Sequence, residues 1–187
     1  MENILYIDNL VLDWIYSFKN PFLDKIVPVI TSLGNGGAIW IFICLILLIF
    51  KKTRKCGFTI AIGLIINLII CNGILKNLFM RIRPYETNGI KELLIAFPHD
   101  FSFPSGHSSS SFVAATSIFL YYKKSGIAAL FLAFLIALSR LYLYVHYPTD
   151  VICGSLIGVG VSYISYLLVK KFTNKSFKKT KWIFYIF

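Results

Sequence analysis

Hydrophobic and polar positions divide this chain into long uncharged runs separated by short charged ones. The runs extend from Val27 to Phe50, Cys56 to Leu75, Phe101 to Tyr122, Ile127 to Ser139 and Val151 to Val169. A membrane-spanning helix needs about 20 apolar residues, and four of the runs reach or approach that length. The run from Ile127 to Ser139 is shorter, but Arg140 is followed by Leu141, Tyr142, Leu143, Tyr144 and Val145, so the pattern predicts a helix that continues past its arginine. The expectation is an all-α membrane bundle of five spans.

Residues 3 to 32 have a different texture, mixing Leu5, Leu10, Leu12, Trp14, Ile15, Phe18, Phe22, Leu23 and Ile26 with charged positions and interrupted by Pro21 and Pro28. This predicts two short amphipathic helices at the membrane interface. The alternative, a sixth span over Ile4 to Phe18, is made costly by Asp8 and Asp13. Met1, Glu2 and Asn3 offer no basic segment ahead of an apolar core, so no cleaved signal peptide is expected and the first span serves for targeting. The whole chain reads as a single domain: interfacial helices over 1–32, a transmembrane core over 33–169, and a basic tail over 170–187 in which Trp182, Phe184, Tyr185 and Phe187 fit a helix resting on the membrane.

Composition agrees: 57% of residues are hydrophobic and 14% charged, against about a quarter charged in a soluble domain. The net charge of +11 does not point to nucleic acid, because the cations cluster beside the apolar runs, where they act as topology signals and headgroup contacts. Lys51, Lys52, Arg54 and Lys55 follow the first run, Lys123 and Lys124 the third, and Lys170, Lys171, Lys175, Lys178, Lys179 and Lys181 the fifth, which predicts that these segments are cytoplasmic. Cys44, Cys56, Cys71 and Cys153 lack metal-ligand spacing and read as packing residues.

Lys76, Arg81, Arg83 and Lys91 then fall on the outer side and need another explanation. Lys76 and Arg83 are seven residues apart, two helical turns, so a helix would project both from one face. Pro84 disfavours helical geometry at Arg83 and sets the guanidinium at a helix end, where it can fork onto two phosphate oxygens. Arg81 reads as an interfacial side chain reaching for water.

A second cluster, Pro104-Ser105-Gly106-His107, precedes the third run. Free N–H groups at that helix start favour an anion, Gly106 permits close approach, Ser105 adds a hydroxyl, and His107 can give or take a proton. In the third cluster, Ser139 and Arg140 are followed by His146 and by Asp150, two residues into a helix opened by Pro148. Asp150 can accept from one imidazole nitrogen and leave the other free to attack. Three cations, helix-start donors and two histidines make a site for in-line phosphoryl transfer. With His107, His146 and Asp150 so engaged, no cluster remains for magnesium or zinc, and no cofactor is expected. His99 and Asp100 read as an exposed polar loop.

These clusters closely resemble the three signatures of the type 2 phosphatidic acid phosphatase superfamily, K-x6-R-P, P-S-G-H and S-R-x5-H-x3-D, matched at every position and in the same order. The resemblance covers the chain from about Asn20. It implies an all-helical fold with the site just outside the membrane, acting on a phosphorylated lipid. By that resemblance His146 attacks phosphorus, Asp150 orients it and His107 protonates the leaving oxygen, while Lys76, Arg83, Arg140, Ser105 and Gly106 hold the phosphate. Members commonly have six spans, so this chain is expected to lack the first. The small size is similar to that of bacterial undecaprenyl diphosphate phosphatases, with phosphatidylglycerophosphate or phosphatidic acid as the alternative substrates. Soluble vanadium haloperoxidases share the motifs, but the apolar spans argue against them. A lipid or anion transporter would have no use for His107 and the His146–Asp150 pair.

Overall fold

A computed structural model describes residues 2–183, and the side chains of residues 3–173. Phe184, Tyr185 and Phe187 lie outside the described residues, and the Trp182 side chain lies outside the described side chains.

The chain is all-helical among the described residues. Helix α1 (Glu2–Tyr16) buries Leu12 and Asp8 on one face. Asn20 caps α2 (Pro21–Leu33), its side chain accepting from the N–H groups of Phe22 and Leu23 at 3.1 and 3.0 Å, with Pro21 in the first turn, where its missing N–H costs nothing. Two helices are present where the sequence predicts two, but Pro28 lies inside α2 rather than breaking it. The break comes instead at a tight turn over Asn35–Gly37, where Gly36 and Gly37 have φ of 57° and 72°, a left-handed geometry that glycine adopts without strain. Helix α3 (Ala38–Ile49) leaves this turn at 44° to α2.

Helix α4 (Arg54–Asn67) returns across the bundle and passes into a π-helical stretch, Leu68–Leu75, and a last turn, α5 (Lys76–Phe79). After the short α6 (Pro84–Thr87) and a long loop come α7 (Gly106–Tyr121), α8 (Lys123–Tyr142) and α9 (Pro148–Ile183). Helix α7 is the axis, packed by α4, α8 and α9. Its contact with α9 is close because the facing positions are small. A Cβ on Gly158 would stand 2.3 Å from the Ser109 carbonyl oxygen and one on Gly154 2.7 Å from that of Ser105. Ser117 and Ser162 share a hydrogen bond at 2.9 Å across the same seam. Small residues that let backbones meet are the usual adhesive between helices in lipid. Cys44, Cys56 and Cys71 are buried in the packing and none of the four cysteines is bonded to another.

Among the described residues, three helices are long and apolar enough to cross a membrane: the interrupted Arg54–Thr87, Lys123–Tyr142 and Pro148–Thr173. The bent pair Pro21–Leu33 and Asn35–Ile49 makes a fourth if it counts as one span. The protein is a multi-pass membrane protein. Where the sequence predicts a full span from Phe101 to Tyr122, α7 has only 16 residues, about 24 Å of helix. The missing turn is the segment Phe101–Ser105, kept out of the helix because the Ser102 N–H donates to the Arg81 carbonyl at 2.8 Å and that of Ser105 to the Asp150 carbonyl at 3.1 Å. At the opposite end the Tyr122 hydroxyl donates to the Lys52 carbonyl at 3.0 Å, so the first two basic segments meet on the face away from these loops.

Candidate active site

At the loop end of the bundle a cavity of about 910 Å³ opens among α2, α3, α4 and α7. Lys76, Arg83, Gly106, His107, Arg140 and His146 all lie on its wall. The three sequence clusters therefore converge, although not by the helical spacing expected for the first. Helix α5 ends at Phe79, Met80 is left-handed, and Arg83 stands in extended geometry (φ −77°, ψ 151°) before Pro84. Proline does exclude helix at Arg83, but the residue reaches the site along an extended stretch, not two turns up a helix.

Arg83 is buried and uses its whole fork. Its Nε donates to the Asp100 carbonyl at 2.7 Å, Nη1 to the Val145 carbonyl at 2.6 Å and Nη2 to the Asp100 carboxylate at 2.6 Å; Nη1 also lies 3.2 Å from His146 Nε2. Lys76 pairs with the other oxygen of Asp100. Asp100, read from sequence as an exposed loop residue, thus bridges two of the cations assigned to the phosphate. Its loop is pinned by the Tyr85 hydroxyl, which donates to the Pro98 carbonyl at 2.8 Å. Burial raises the affinity of the Asp100 carboxyl for a proton, but the hydrogen bonds and charges of Lys76 and Arg83 outweigh it and bring its pKa down to about 2. Arg140 is held differently. It is buried in the last turn of α8, with Nη1 donating to Thr31 Oγ1 at 2.8 Å and no partner for Nε, an arrangement that costs about 1–3 kcal/mol until an acceptor arrives.

His146 is almost wholly buried between α8 and α9. Nε2 faces Arg83 and the cavity. Nδ1 faces Asp150 Oδ2 at 3.6 Å and Ser102 Oγ at 3.5 Å, longer than a formed hydrogen bond. Burial first, then the charges of Arg83, Arg140 and Lys76, lower the pKa of His146 well below the ordinary histidine range, so the imidazole is neutral and its lone pair available. Across the cavity His107 stands in the first turn of α7 with Nε2 2.9 Å from Asn35 Oδ1. Since a carbonyl oxygen only accepts, Nε2 carries the proton in this arrangement. Gly34 leaves room for the ring, because a Cβ there would stand 2.8 Å from His107 Cδ2.

Two further sequence expectations change. Ser105 does not face the cavity: it is fully buried, and its Oγ accepts from Ser108 Oγ at 2.9 Å and from the Ser108 N–H at 3.4 Å, the role of a helix cap. Arg81 does not reach for water. Its Nη1 donates to Asp150 Oδ1 at 2.6 Å and to Thr149 Oγ1 at 2.7 Å, its Nη2 to Asp8 Oδ2 at 2.7 Å. Asp150 also accepts from Ser102 Oγ and from the Tyr147 N–H. Ser102, Asp8, Asn35 and Asp100 were not singled out as site residues in the sequence. An R-x-R spacing before proline, which directs Arg81 and Arg83 to one side of an extended stretch, was the available signal for Arg81.

Among the described residues no group of three or more His, Cys, Asp or Glu side chains converges as a metal site would require. Neutral His146, a facing His107 and cations that can follow charge on a phosphoryl group form a constellation suited to nucleophilic displacement at phosphorus.

Residues 52–174 match the PAP2 superfamily. The chain belongs to that superfamily. It is 36% identical over 128 residues to an undecaprenyl-diphosphatase from Sulfolobus acidocaldarius, an alignment that takes in 68% of this chain and 62% of the relative's length. Two solved structures share the fold. The crystal structure of Aquifex aeolicus LpxE superposes with a TM-score of 0.72 at 28% identity, covering 83% of this chain and 92% of that one. A transmembrane PAP2 type phosphatidylglycerolphosphate phosphatase from Bacillus subtilis does so with a TM-score of 0.71 at 26% identity, covering 94% and 88%.

Proposed function

We propose that this PAP2 protein is a metal-independent lipid phosphatase working through a phosphohistidine, with undecaprenyl diphosphate as its substrate. The observation that carries the reading is that one cavity has a polar and an apolar end. One end brings together Lys76, Arg83, Arg140 and the two histidines; the other is lined by Leu45, Leu48, Leu64, Ile65 and Leu68, a wall for a hydrocarbon chain.

The Nε2 lone pair of His146 attacks the terminal phosphorus. As the P–N bond forms, the bond to the bridging oxygen breaks, and that oxygen takes a proton from His107, which enters the step as its imidazolium, the charge being balanced by the substrate's phosphate, and leaves it neutral. The three cations follow the charge on the equatorial oxygens, and Asp150 balances the imidazolium through Nδ1. Water, deprotonated by His107, then displaces His146 and releases inorganic phosphate. Burial and the surrounding cations hold His146 neutral, which this sequence requires.

The basic segments support an orientation with the site outside the cytoplasm. With α7 enclosed by its neighbours and its apolar run completed by the loop ahead of it, five crossings remain our reading of topology.

The relative from Sulfolobus acidocaldarius supports a diphosphate lipid. A second substrate, phosphatidylglycerophosphate, is favoured by the Bacillus subtilis structure, which covers more of the chain. Phosphate release by the purified protein and by His146→Ala, in chelator, from both lipids side by side is the test. We expect release by the unaltered protein alone, faster from undecaprenyl diphosphate. Activity that returns only with added magnesium would sink the mechanism, and release from neither lipid would sink the function.

A further inference from the structure

Behind His146, on the side away from the cavity, lies a second charged cluster whose two carboxylates are shut off from water. Asp8 and Asp150 are 1% and 0% exposed, and the arginine between them, Arg81, 23%. Its guanidinium lies over the Tyr147 ring, 4.0 Å from the centroid. One aspartate comes from α1, the other from α9, and Arg81 from the extended stretch between α5 and α6. Thr149 ties the two ends again, since its N–H and hydroxyl donate to Asp8 at 2.9 and 2.6 Å.

The division of labour on Asp150 is specific. Oδ2 receives Ser102 and the Tyr147 N–H and faces His146, whereas Oδ1 receives Arg81. A carboxylate held at one oxygen by a guanidinium cannot turn about its Cβ–Cγ bond without breaking that pair. Asp8 offsets the arginine's charge, so that the cluster behind His146 still accommodates an imidazolium. Asp8 lies outside residues 52–174, the segment that matches the superfamily.

We propose that Arg81, anchored by Asp8 of α1, is a positioning residue for phosphoryl transfer: it fixes Asp150 so that Oδ2 meets Nδ1 of His146 as the imidazole gains charge. The inference rests on the phosphatase reading above. It makes the amphipathic α1 a working part of the reaction centre, not only a membrane anchor.

The test uses the full-length protein in mixed micelles with the lipid that it hydrolyses, and the variants Arg81→Ala, Arg81→Lys, Asp8→Asn and the Arg81→Ala/Asp8→Asn pair. Loss of a positioning interaction made mainly in the transition state lowers kcat with little change in KM, and we expect a fall of about 100-fold for Arg81→Ala and about tenfold for the nearly isosteric Asp8→Asn. The pair should lose no more than Arg81→Ala alone, because both residues act through one chain of contacts. Millimolar guanidinium should restore part of the Arg81→Ala rate and none of the Asp8→Asn loss, a response that a merely structural strut would not give. A raised KM with kcat intact would make Arg81 a phosphate contact and overturn the proposal, as would unchanged kcat in Asp8→Asn. If Arg81→Ala does not fold, Asp8→Asn and Arg81→Lys decide alone, by the same split between kcat and KM. An unaltered protein that releases no phosphate fails the functional reading instead, so the two failures are separable.

Discussion

Arg83 and Arg81 stand two residues apart and each binds an aspartate beside His146, yet the two clusters differ in what they leave exchangeable. In front, Asp100 is 56% exposed and its carboxylate takes the donors of Lys76 and Arg83, the donors that a phosphate needs. Behind, Asp150 is fully enclosed and every partner it has comes from the folded frame. An exposed carboxylate on buried cations is a contact that an incoming anion can displace; an enclosed one is not. On the phosphatase reading, the front cluster can trade partners during turnover while the rear one keeps them.

The largest effect should come from striking the front cluster at its fork. Arg83→Lys keeps the charge but cannot reproduce contacts made at Nε, Nη1 and Nη2. Losing two charge-assisted bonds of about 1.5–3 kcal/mol each predicts a fall in kcat/KM of about 100- to 10,000-fold. Steady-state kinetics on the lipid substrate would read it, and a loss under tenfold would mean that charge alone matters at that position. A smaller effect of opposite sign is expected from Asp100→Asn. With the competing carboxylate removed, inorganic phosphate should inhibit about tenfold more tightly, a gain of about 1.4 kcal/mol. Weaker inhibition would instead make Asp100 a fixed organiser of Lys76 and Arg83, and erase the distinction between the two clusters.

The smallest effect is in pH dependence. His146 resists protonation in the fold, while in the unfolded chain it takes a proton near its ordinary pKa of about 6.5. Above that pH both states are neutral and the residue contributes nothing; as pH falls below it the unfolded state gains a proton that the folded state refuses, and stability drops by up to about 1.4 kcal/mol per unit. Asp100 acts lower down, its contribution present above about pH 4 and fading as pH falls toward its folded pKa of about 2. Melting in detergent between pH 8 and pH 5 should therefore show an acid-side loss that His146→Gln lacks. Equal slopes for both proteins would place the acid sensitivity elsewhere.

Much of this was legible in the sequence because it depended on local rules. Uncharged runs marked the helices, Pro84 set a helix boundary beside Arg83, and Pro148 opened the last helix. What escaped depended on contacts distant in sequence. The partner of Arg81 is 73 residues away in one direction and 69 in the other, and no periodicity reports such a pairing. Asp100 looked like loop because loops are ordinarily polar and solvated; nothing local announces that the loop is tied down at Pro98, Ser102 and Ser105. The two-turn spacing of Lys76 and Arg83 misled because the helix stops at Phe79, and Ser105 was read as a ligand donor where its hydroxyl is consumed in capping.

The cavity wall has one further property. Ile41 and Leu45 of α3, Ile65 of α4 and Leu68 of the π-helical stretch line it and are exposed, whereas across α7 the small residues of α9 shut the opposite seam. On the phosphatase reading proposed above, the opening would face sideways, toward the hydrocarbon, and a lipid chain drawn from that direction would never leave its leaflet. Turnover then follows encounter in two dimensions: its rate tracks the mole fraction of substrate among neighbouring lipids, and diluting the bilayer with inert lipid slows it even when the amount of substrate per volume of solution is unchanged.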